Sequence, residues 1–303
     1  MKRTLILYNI RAGRGRAERR VEGVAAIFRE AGHEVRLQRI EFGRDPFEEG
    51  ATFELIVICG GDGTINYVVN AMRRHGITTP LGIIPMGTAN DFAGALGMSS
   101  HPVKAAQQIV GGRLDHVDCG CVNGTHFINV FSFGLLTTTS QHTSDKAKHR
   151  FGKLAYLSAG MHDFRNFHYL PVEFDYDGKQ VKTECIFALV FNGETAGRFK
   201  FARMASVRDG LFDCIVIRRN SFIKAFCGVM YYFMSGKENF AVEHFRASSL
   251  RISSPEMPDT DMDGQAGPTF PLTIECLKGA VAVIVPDNAK QPAASSVCED
   301  LRD

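Results

Sequence analysis

The first part of the chain alternates short apolar runs with segments whose apolar residues recur at helical spacing. The apolar runs predict strands at Thr4–Asn9, Val35–Ile40, Leu55–Cys59 and Leu81–Ile84. Ala17–Ala31 and the segment from Ile65 to a stop at Gly76 predict helices. Wholly apolar strands separated by helices are typical of a parallel sheet covered on both faces. Such sheets bind ligands at the carboxyl ends of their strands.

From Leu114 onward, apolar and polar residues alternate, which predicts antiparallel strands. We expect them at Thr125–Phe133, Tyr169–Tyr176, Val181–Phe191, Leu211–Arg218, Leu272–Cys276 and Val281–Val285. Asp177-Gly178 predicts a hairpin turn, and Lys153–Phe164 predicts a helical insertion. The pattern therefore indicates an α/β domain with a parallel sheet over residues 1–122 and a mostly antiparallel, β-sandwich-like domain over residues 123–286. A polar tail over residues 287–303 is expected to be disordered or to pack back on the first domain.

The chain has 303 residues and a formal net charge of +2, a balance that argues against a nucleic-acid partner. The charge is unevenly distributed, because residues 1–40 hold ten Lys or Arg but only four Glu. Arg11, Arg14 and Arg16 directly follow the first predicted strand. They favour contact with phosphates or with an anionic lipid surface, and the alternative is a solvated helix face.

The cysteines and the apolar segments indicate the compartment. The eight cysteines are scattered through apolar runs without a CxxC pair, which predicts buried thiols in a reducing cytoplasm. The longest uncharged apolar stretch, Ala225–Gly236, is shorter than the roughly 20 residues that a membrane-spanning helix requires. We therefore expect a cytoplasmic protein.

The aromatic and Met residues of Phe222–Met234 fit either a core helix or a shelter for acyl chains.

A glycine-rich segment, Gly60-Gly61-Asp62-Gly63-Thr64-Ile65-Asn66, follows the third predicted strand. Glycines let the backbone approach a phosphate closely, and a helix start offers unpaired N–H groups at the positive end of its dipole. The segment therefore predicts a phosphate-binding loop. Asp62 would repel a bare phosphate, so we expect it to contact Mg²⁺ or a ribose. The alternative is a tight turn, which would require neither Gly60 nor Thr64.

A second turn of this kind follows the fourth predicted strand, where residues 85–91 lead into a short helix. If the two strands are neighbours, Thr88, Asn90 and Asp91 lie beside the first loop, and the pair of turns forms a cradle for nucleotide phosphates. Taken alone, the second turn also fits an ordinary connection from strand to helix. The chain has no GxxxxGK[ST], GxSxG or HExxH motif, which argues against Walker-type, serine hydrolase and metalloprotease sites.

These two segments resemble the catalytic domain of diacylglycerol kinases, in the bacterial lipid kinase branch that is related to sphingosine and ceramide kinases. Gly60–Thr64 alone is shared with NAD kinases, whereas Gly87–Phe92 narrows the resemblance to lipid kinases. Phe127–Val130, Gly152–Tyr156 and Ala205–Leu211 also match and extend the resemblance to nearly the whole chain. The resemblance implies the fold that NAD kinases and diacylglycerol kinases share.

The resemblance also implies ATP and Mg²⁺ as cofactors and a membrane lipid, such as diacylglycerol, as the phosphate acceptor. Peripheral contact with the inner membrane face and a homodimer are further expectations. Nucleotide binding would fall on Asn9, Gly60, Gly61, Asp62, Gly63, Thr64, Ile65, Asn66, Gly87, Thr88, Asn90 and Asp91. Asp209, with the carbonyls of Ser206 and Leu211, would hold a structural Mg²⁺. Asp263 would be the general base that accepts the proton of the lipid hydroxyl.

The chain departs from the family pattern at three positions. The late catalytic motif usually ends in Glu but here ends in Gln265, which can hold a hydrogen bond but cannot act as a base. Ile10 stands where Pro is usual, and Tyr67 stands where Glu is usual. Gln265 and Tyr67 leave a catalytically weak nucleotide- or lipid-binding module as one alternative, and the shared loop Gly60–Thr64 leaves an NAD kinase-like enzyme as another. For both Asp209 and Asp263, the alternative is a plain Asp-Gly turn.

Overall fold

The structure, a computed structural model, describes residues 1–10, 17–47, 52–134, 169–197, 199–200, 202 and 205–287. Several predictions concern other parts of the chain and lie outside the described residues. They are the roles of Arg11, Arg14 and Arg16, the helical insertion at 153–164 with the matching segment 152–156, and the tail after residue 287.

The N-terminal strands form a parallel layer, as predicted. It contains β1 (Arg3–Tyr8), β2 (Glu34–Arg39), β3 (Leu55–Gly60) and β4 (Leu81–Pro85), in the spatial order β2-β1-β3-β4. The helices of this region are α1 (Ala17–Glu30), α2 (Asp62–Arg74), α3 (Asp91–Ala95) and α4 (Pro102–Val110). Every residue of β3 and β4 is buried, which explains why these strands are apolar throughout.

The remaining strands pair antiparallel with one another, again as predicted. They and one helix are β5 (Arg113–Val122), β6 (Thr125–Phe127), β7 (Val130–Gly134), β8 (Leu170–Tyr176), β9 (Lys179–Phe191), β10 (Thr195–Ala196), β11 (Phe199–Lys200), β12 (Phe212–Arg218), α5 (Phe222–Ser235), β13 (Val242–Ala247), β14 (Ser249–Ser253), β15 (Thr260–Met262), β16 (Gln265–Ala266) and β17 (Leu272–Val285). Asp177 and Gly178 connect β8 to β9 with φ of 49° and 73°, which confirms the predicted hairpin turn.

The last strand joins the two regions. Two strands were predicted at residues 272–276 and 281–285, but β17 is one strand with an irregularity between Leu277 and Val281, where it pairs with β5. Val283 of β17 lies opposite Leu81 in a parallel pairing with β4. The end of the chain's second half therefore completes the sheet of the first half.

The single strand predicted at Thr125–Phe133 is wrong, because the structure has two strands, β6 and β7, separated by Ile128 and Asn129. The backbone N–H groups of both intervening residues donate to the side chain of Asp263 instead of to a neighbouring strand. A carboxylate more than 130 residues away in the chain therefore causes the interruption.

Helix α5 has two different faces. Ala225 and Tyr232 are buried against the antiparallel strands, whereas Ile223 is 72% exposed and Met234 is 77% exposed. The core interpretation of this apolar segment is therefore wrong for much of the helix. Cys227 is also exposed, against the expectation that every thiol is buried. Within the part of the chain that the structure describes, no helix is both long enough and apolar enough to cross a membrane.

Candidate active site

Two glycine-containing loops meet at the carboxyl ends of β3 and β4. The strands lie side by side with Gly60 opposite Pro85, and the N–H of Met86 donates to the carbonyl of Gly60 at 2.8 Å. A Cβ on Gly87 would lie 2.5 Å from the Cα of Gly61, a distance that real Cβ atoms essentially never show. The two loops can touch in this way only because both positions are glycine. The two loops are therefore neighbours, as predicted.

The side chain of Asn90 fixes the shape of the second loop. Its Oδ1 accepts the N–H of Gly87 at 2.8 Å, and its Nδ2 donates to the Gly87 carbonyl at 3.0 Å. Asn90 has a φ of 56°, in the left-handed region that Asn tolerates better than most residues. Thr88, between these two residues, is exposed at the surface of the loop. Asn90 thus fixes the backbone of the second loop, whereas Thr88 is accessible from solvent.

Helix α2 begins inside the first loop, at Asp62. Its N-cap residue, Gly61, provides no side-chain cap. The N–H groups of Thr64 and Ile65 already donate to the Gly61 carbonyl, at 2.9 and 3.1 Å. The first N–H groups of a helix have no acceptor within the helix, and they lie at the positive end of its dipole. This end of α2 therefore has the polarity of an anion site, formed by the backbone of Asp62 and Gly63.

Most side chains around the start of α2 make their contacts within the protein. Asn9 Nδ2 donates to Thr64 Oγ1 at 3.2 Å, and a Cβ on Gly60 would lie 2.6 Å from the Thr64 side chain. Ile65 is 1% exposed and packs in the core of the parallel layer. A nucleotide contact by Ile65, which the resemblance implied, does not fit, because its side chain is buried and its N–H is taken.

The carboxylate of Asp62 connects the first loop to the start of α3. It accepts the N–H of Asp91 at 3.2 Å and that of Phe92 at 3.0 Å, together with the Asn129 amide at 3.2 Å. Burial raises the pKa of Asp62, and the nearby charge of Asp91 raises it further. The expectation that Asp62 faces Mg²⁺ or a ribose is therefore corrected, because this carboxylate caps a neighbouring helix.

Asp91, the first residue of α3, is buried. Its Oδ2 accepts the N–H of Gly197 at 2.6 Å, next to the short β10–β11 hairpin. Asp91 therefore ties the second loop to the antiparallel region.

The Asp263 carboxylate is the most heavily hydrogen-bonded group of the candidate site. Its Oδ1 accepts the N–H groups of Asn129 and Val130, both at 3.0 Å. Its Oδ2 accepts the N–H of Ile128 at 2.7 Å and the side-chain amide of Asn66 at 2.8 Å. Burial raises the pKa of Asp263 to about 6, although all four hydrogen bonds favour the ionised form.

Asp263 lies in the turn between β15 and β16, with a φ of 52°, and this hairpin approaches the first loop. A Cβ on Gly63 would lie 3.6 Å from the side-chain nitrogen of Gln265. The late motif and the glycine loop, some 200 residues apart, therefore form one site. The side-chain amide of Asn66 donates to Asp263 and to the carbonyl of His126, and so connects α2 to the late motif. This structural role replaces the nucleotide contact that the resemblance implied for Asn66.

Tyr67 replaces a carboxylate that the family usually carries, and its side chain faces away from the late motif. Its hydroxyl donates to the carbonyl of Arg44, and its ring packs against Phe42 with centroids 5.0 Å apart. Tyr67 thus fixes the segment after β2.

Asp209 was the expected ligand of a structural Mg²⁺, and the residues around it do not fit that role. Its Oδ1 accepts the N–H of Leu211 at 3.1 Å, and its Oδ2 contacts the guanidinium of Arg246. The other expected ligands, the carbonyls of Ser206 and Leu211, are uncharged. Among the described residues, no three His, Cys, Asp or Glu side chains are placed to hold a metal ion.

Sequence reasoning missed two residues that build this part of the molecule. Asn129 connects Asp62 to the segment that binds Asp263, and it lies in the Phe-x-Asn-Val stretch that marked the resemblance. Asp118 is buried in β5 and accepts the N–H groups of Gly210 at 2.7 Å and Gly279 at 2.8 Å. The available signal for Asp118 was an acid within Val117–Val122, whose other residues are Val, Cys and Gly.

Two family models match the chain. Residues 3–122 match the diacylglycerol kinase catalytic domain, and residues 129–285 match the YegS C-terminal NAD kinase beta sandwich-like domain. The second model alone covers more than half of the chain. The chain therefore belongs to the diacylglycerol kinase family of lipid kinases.

Similar proteins agree with this assignment over nearly the full length. A diacylglycerol kinase of Bacillus subtilis strain 168 is 33% identical over 296 residues, covering 94% of this chain and 97% of the relative. A diacylglycerol kinase of Staphylococcus carnosus is 31% identical, with coverage of 95% and 97%. A crystal structure of a diacylglycerol kinase from Bacillus anthracis strain Sterne has a TM-score of 0.72 at 23% identity, covering 95% of this chain and 98% of the other, and supports the fold alone.

Proposed function

We propose that this lipid kinase transfers the γ-phosphoryl group of ATP to the hydroxyl of a membrane lipid such as diacylglycerol. The names of the relatives support the lipid, and the paired loops support the nucleotide. The observation that carries the proposal is the meeting of the Asp263 hairpin with the start of α2. It brings an acid with a pKa of about 6 next to a site suited to phosphates.

The N-terminal end of α2 binds the phosphates of ATP. The N–H groups of Asp62 and Gly63 point toward the anion, and the glycines leave room for it. Thr88 contacts the nucleotide from the second loop. Mg²⁺, when bound with ATP, would neutralise phosphate charge during transfer.

Asp263 accepts the proton in the transfer step. The lipid oxygen forms a bond to the γ-phosphorus while the bond to the bridging β–γ oxygen breaks, so that ADP leaves and the hydroxyl proton passes to the carboxylate. A carboxylate has about four lone-pair sites, and Asp263 uses four for hydrogen bonds. One donor must therefore withdraw, and Asn66 is the only one of the four that donates from a side chain.

A panel of acceptors tests the proposal. The full chain is incubated with γ-labelled ATP and vesicles that contain diacylglycerol, ceramide, sphingosine or phosphatidylglycerol, with NAD as a soluble acceptor. We expect label in one of the lipids, and catalysis at the surface of the vesicles. Label in NAD alone would establish the NAD kinase-like alternative. ATP binding without transfer to any acceptor would contradict the catalytic proposal.

The contact between the glycines provides a test of the nucleotide site. We expect Gly87→Ala to weaken ATP binding by more than about tenfold, because its Cβ would push the two loops apart. Gly94→Ala in α3 is the matched control, since a Cβ there meets nothing within 4 Å. Equal ATP affinity of both variants, measured by calorimetry, would place the phosphates elsewhere.

A catalytically weak nucleotide-binding protein is the second candidate function. Two observations favour it: Gln265 cannot act as a base, and the four hydrogen bonds of Asp263 oppose its protonation. Gln265→Glu distinguishes the candidates. A large gain in turnover would mark the natural protein as impaired, whereas unchanged or lower turnover would support Asp263 as the proton acceptor.

A further inference from the structure

We infer that Arg246 takes the place of the metal ion that was expected at Asp209, so that this chain needs no structural divalent cation there. The residues involved lie in the segment from residue 206 to residue 211 and in the strands β12 and β13. They have no part in the reaction proposed above.

Arg246 joins two carboxylates from the edge strand β13, which pairs only with β12 among the described strands. It lies on β13 directly opposite Asp213 of β12, and its Nε donates to Asp213 Oδ2 at 3.3 Å. Its Nη2 contacts Asp209 Oδ2 in an ion pair. The guanidinium therefore occupies Oδ2, and the N–H of Leu211 occupies Oδ1, the two oxygens through which Asp209 would bind a cation.

Asp213 keeps the guanidinium in this position. Its side chain has no solvent exposure, and its second oxygen contacts His244 Nε2 at 2.7 Å. Removing a partner from a buried carboxylate is strongly unfavourable. Turning Arg246 away from Asp213 would therefore cost stability, and a divalent cation at Asp209 would meet the positive charge of the guanidinium.

Hydrogen bonds within the protein also hold residues 206–211 in place, which was the role expected of the metal. The N–H of Gly210 donates to Asp118, and the N–H of Asp118 donates to the carbonyl of Val207 at 2.7 Å. The N–H of Leu211 returns to Asp209. These hydrogen bonds thus close the loop. The carboxylate of the neighbouring Asp118 already accepts the N–H groups of Gly210 and Gly279, so uncharged carbonyls and water would have to complete the coordination sphere of a divalent cation.

Binding of Mn²⁺ to nucleotide-free protein tests the inference. Electron paramagnetic resonance reports the free ion, and thermal unfolding in EDTA and in excess Mg²⁺ reports the structural effect. For the natural chain we expect no Mn²⁺ uptake that depends on Asp209, and the same unfolding midpoint in both solutions. For Arg246→Gln we expect a midpoint several degrees lower in EDTA, partial recovery in Mg²⁺, and uptake of Mn²⁺ that a second change, Asp209→Asn, removes.

Arg218→Gln is the matched control. Arg218 pairs with Glu243 at 2.7 Å across the same two strands, so its loss removes one cation but creates no site at Asp209. Uptake of one Mn²⁺ by the natural chain, lost in Asp209→Asn, would overturn the inference. So would a folded Arg246→Gln variant that takes up no Mn²⁺. If that variant does not fold, the comparison of the natural chain with Asp209→Asn still decides.

Discussion

Two groups of acids in this protein are stabilised in different ways. Asp62 and Asp263, in the candidate active site, accept hydrogen bonds from backbone N–H groups and side-chain amides, all of them uncharged. Asp209, whose side chain is 30% exposed, and the fully buried Asp213 contact the guanidinium of Arg246, and Asp213 also contacts His244. Among the described residues, the negative charge of the first group has no cation beside it, whereas the second group is paired with the guanidinium of Arg246.

The difference has a chemical consequence. Uncharged donors do not cancel the cost of burial, so the pKa of Asp62 and that of Asp263 are both raised, the latter to about 6. An acid with a pKa near the operating pH is suited to proton transfer. A carboxylate that already has a fixed cation has no such role and does not attract a metal ion. Asp263 is therefore suited to proton transfer, whereas Asp209 and Asp213 stabilise the fold.

The largest effect is expected for Asp263→Asn. The amide cannot accept a proton from the lipid, so kcat should fall by about 10²- to 10⁴-fold. Lipid phosphorylation and ATP affinity are measured together with thermal unfolding, so that a folding defect is recognised. Full activity in this variant would remove Asp263 from the chemistry and leave it a structural role only.

The next effect concerns stability rather than catalysis. Asp213→Asn deprives Arg246 and His244 of a fully buried partner, and we expect a loss of about 3 kcal/mol or more in the free energy of unfolding. Urea denaturation measures this loss. A change below about 1 kcal/mol would contradict the view that this cluster is what fixes Arg246.

The smallest effect is expected for an exposed ion pair. Glu22 contacts Arg29 at 3.2 Å on α1, where both side chains are about half exposed. Solvent screens such a pair, so Glu22→Gln should change the free energy of unfolding by less than about 0.5 kcal/mol. Urea denaturation measures this change as well, and the two losses are compared. A loss as large as that of Asp213→Asn would mean that burial does not distinguish the clusters.

The sequence predicted those parts of the fold that local patterns determine. The apolar strands β3 and β4, the glycine loops that follow them and the turn at Asp177 all depend on neighbouring residues. Residues 128–130 could not be predicted in the same way, because their N–H groups bond to Asp263 far along the chain. The roles of Asp62 and Asn66 were misassigned for the same reason, since each side chain bonds to a distant element.

The pH dependence of turnover, compared between the natural chain and Asn66→Ala, is the most direct test of the central claim. A base must be ionised, so kcat should be full above pH 6 and should fall as the pH drops through about 6. Asn66→Ala removes one hydrogen bond to the ionised form, which raises the pKa of Asp263 further and moves the midpoint to higher pH. We predict that upward shift. A midpoint that stays in place, in a variant that remains folded and binds ATP, would contradict the assignment of Asp263 as the proton acceptor.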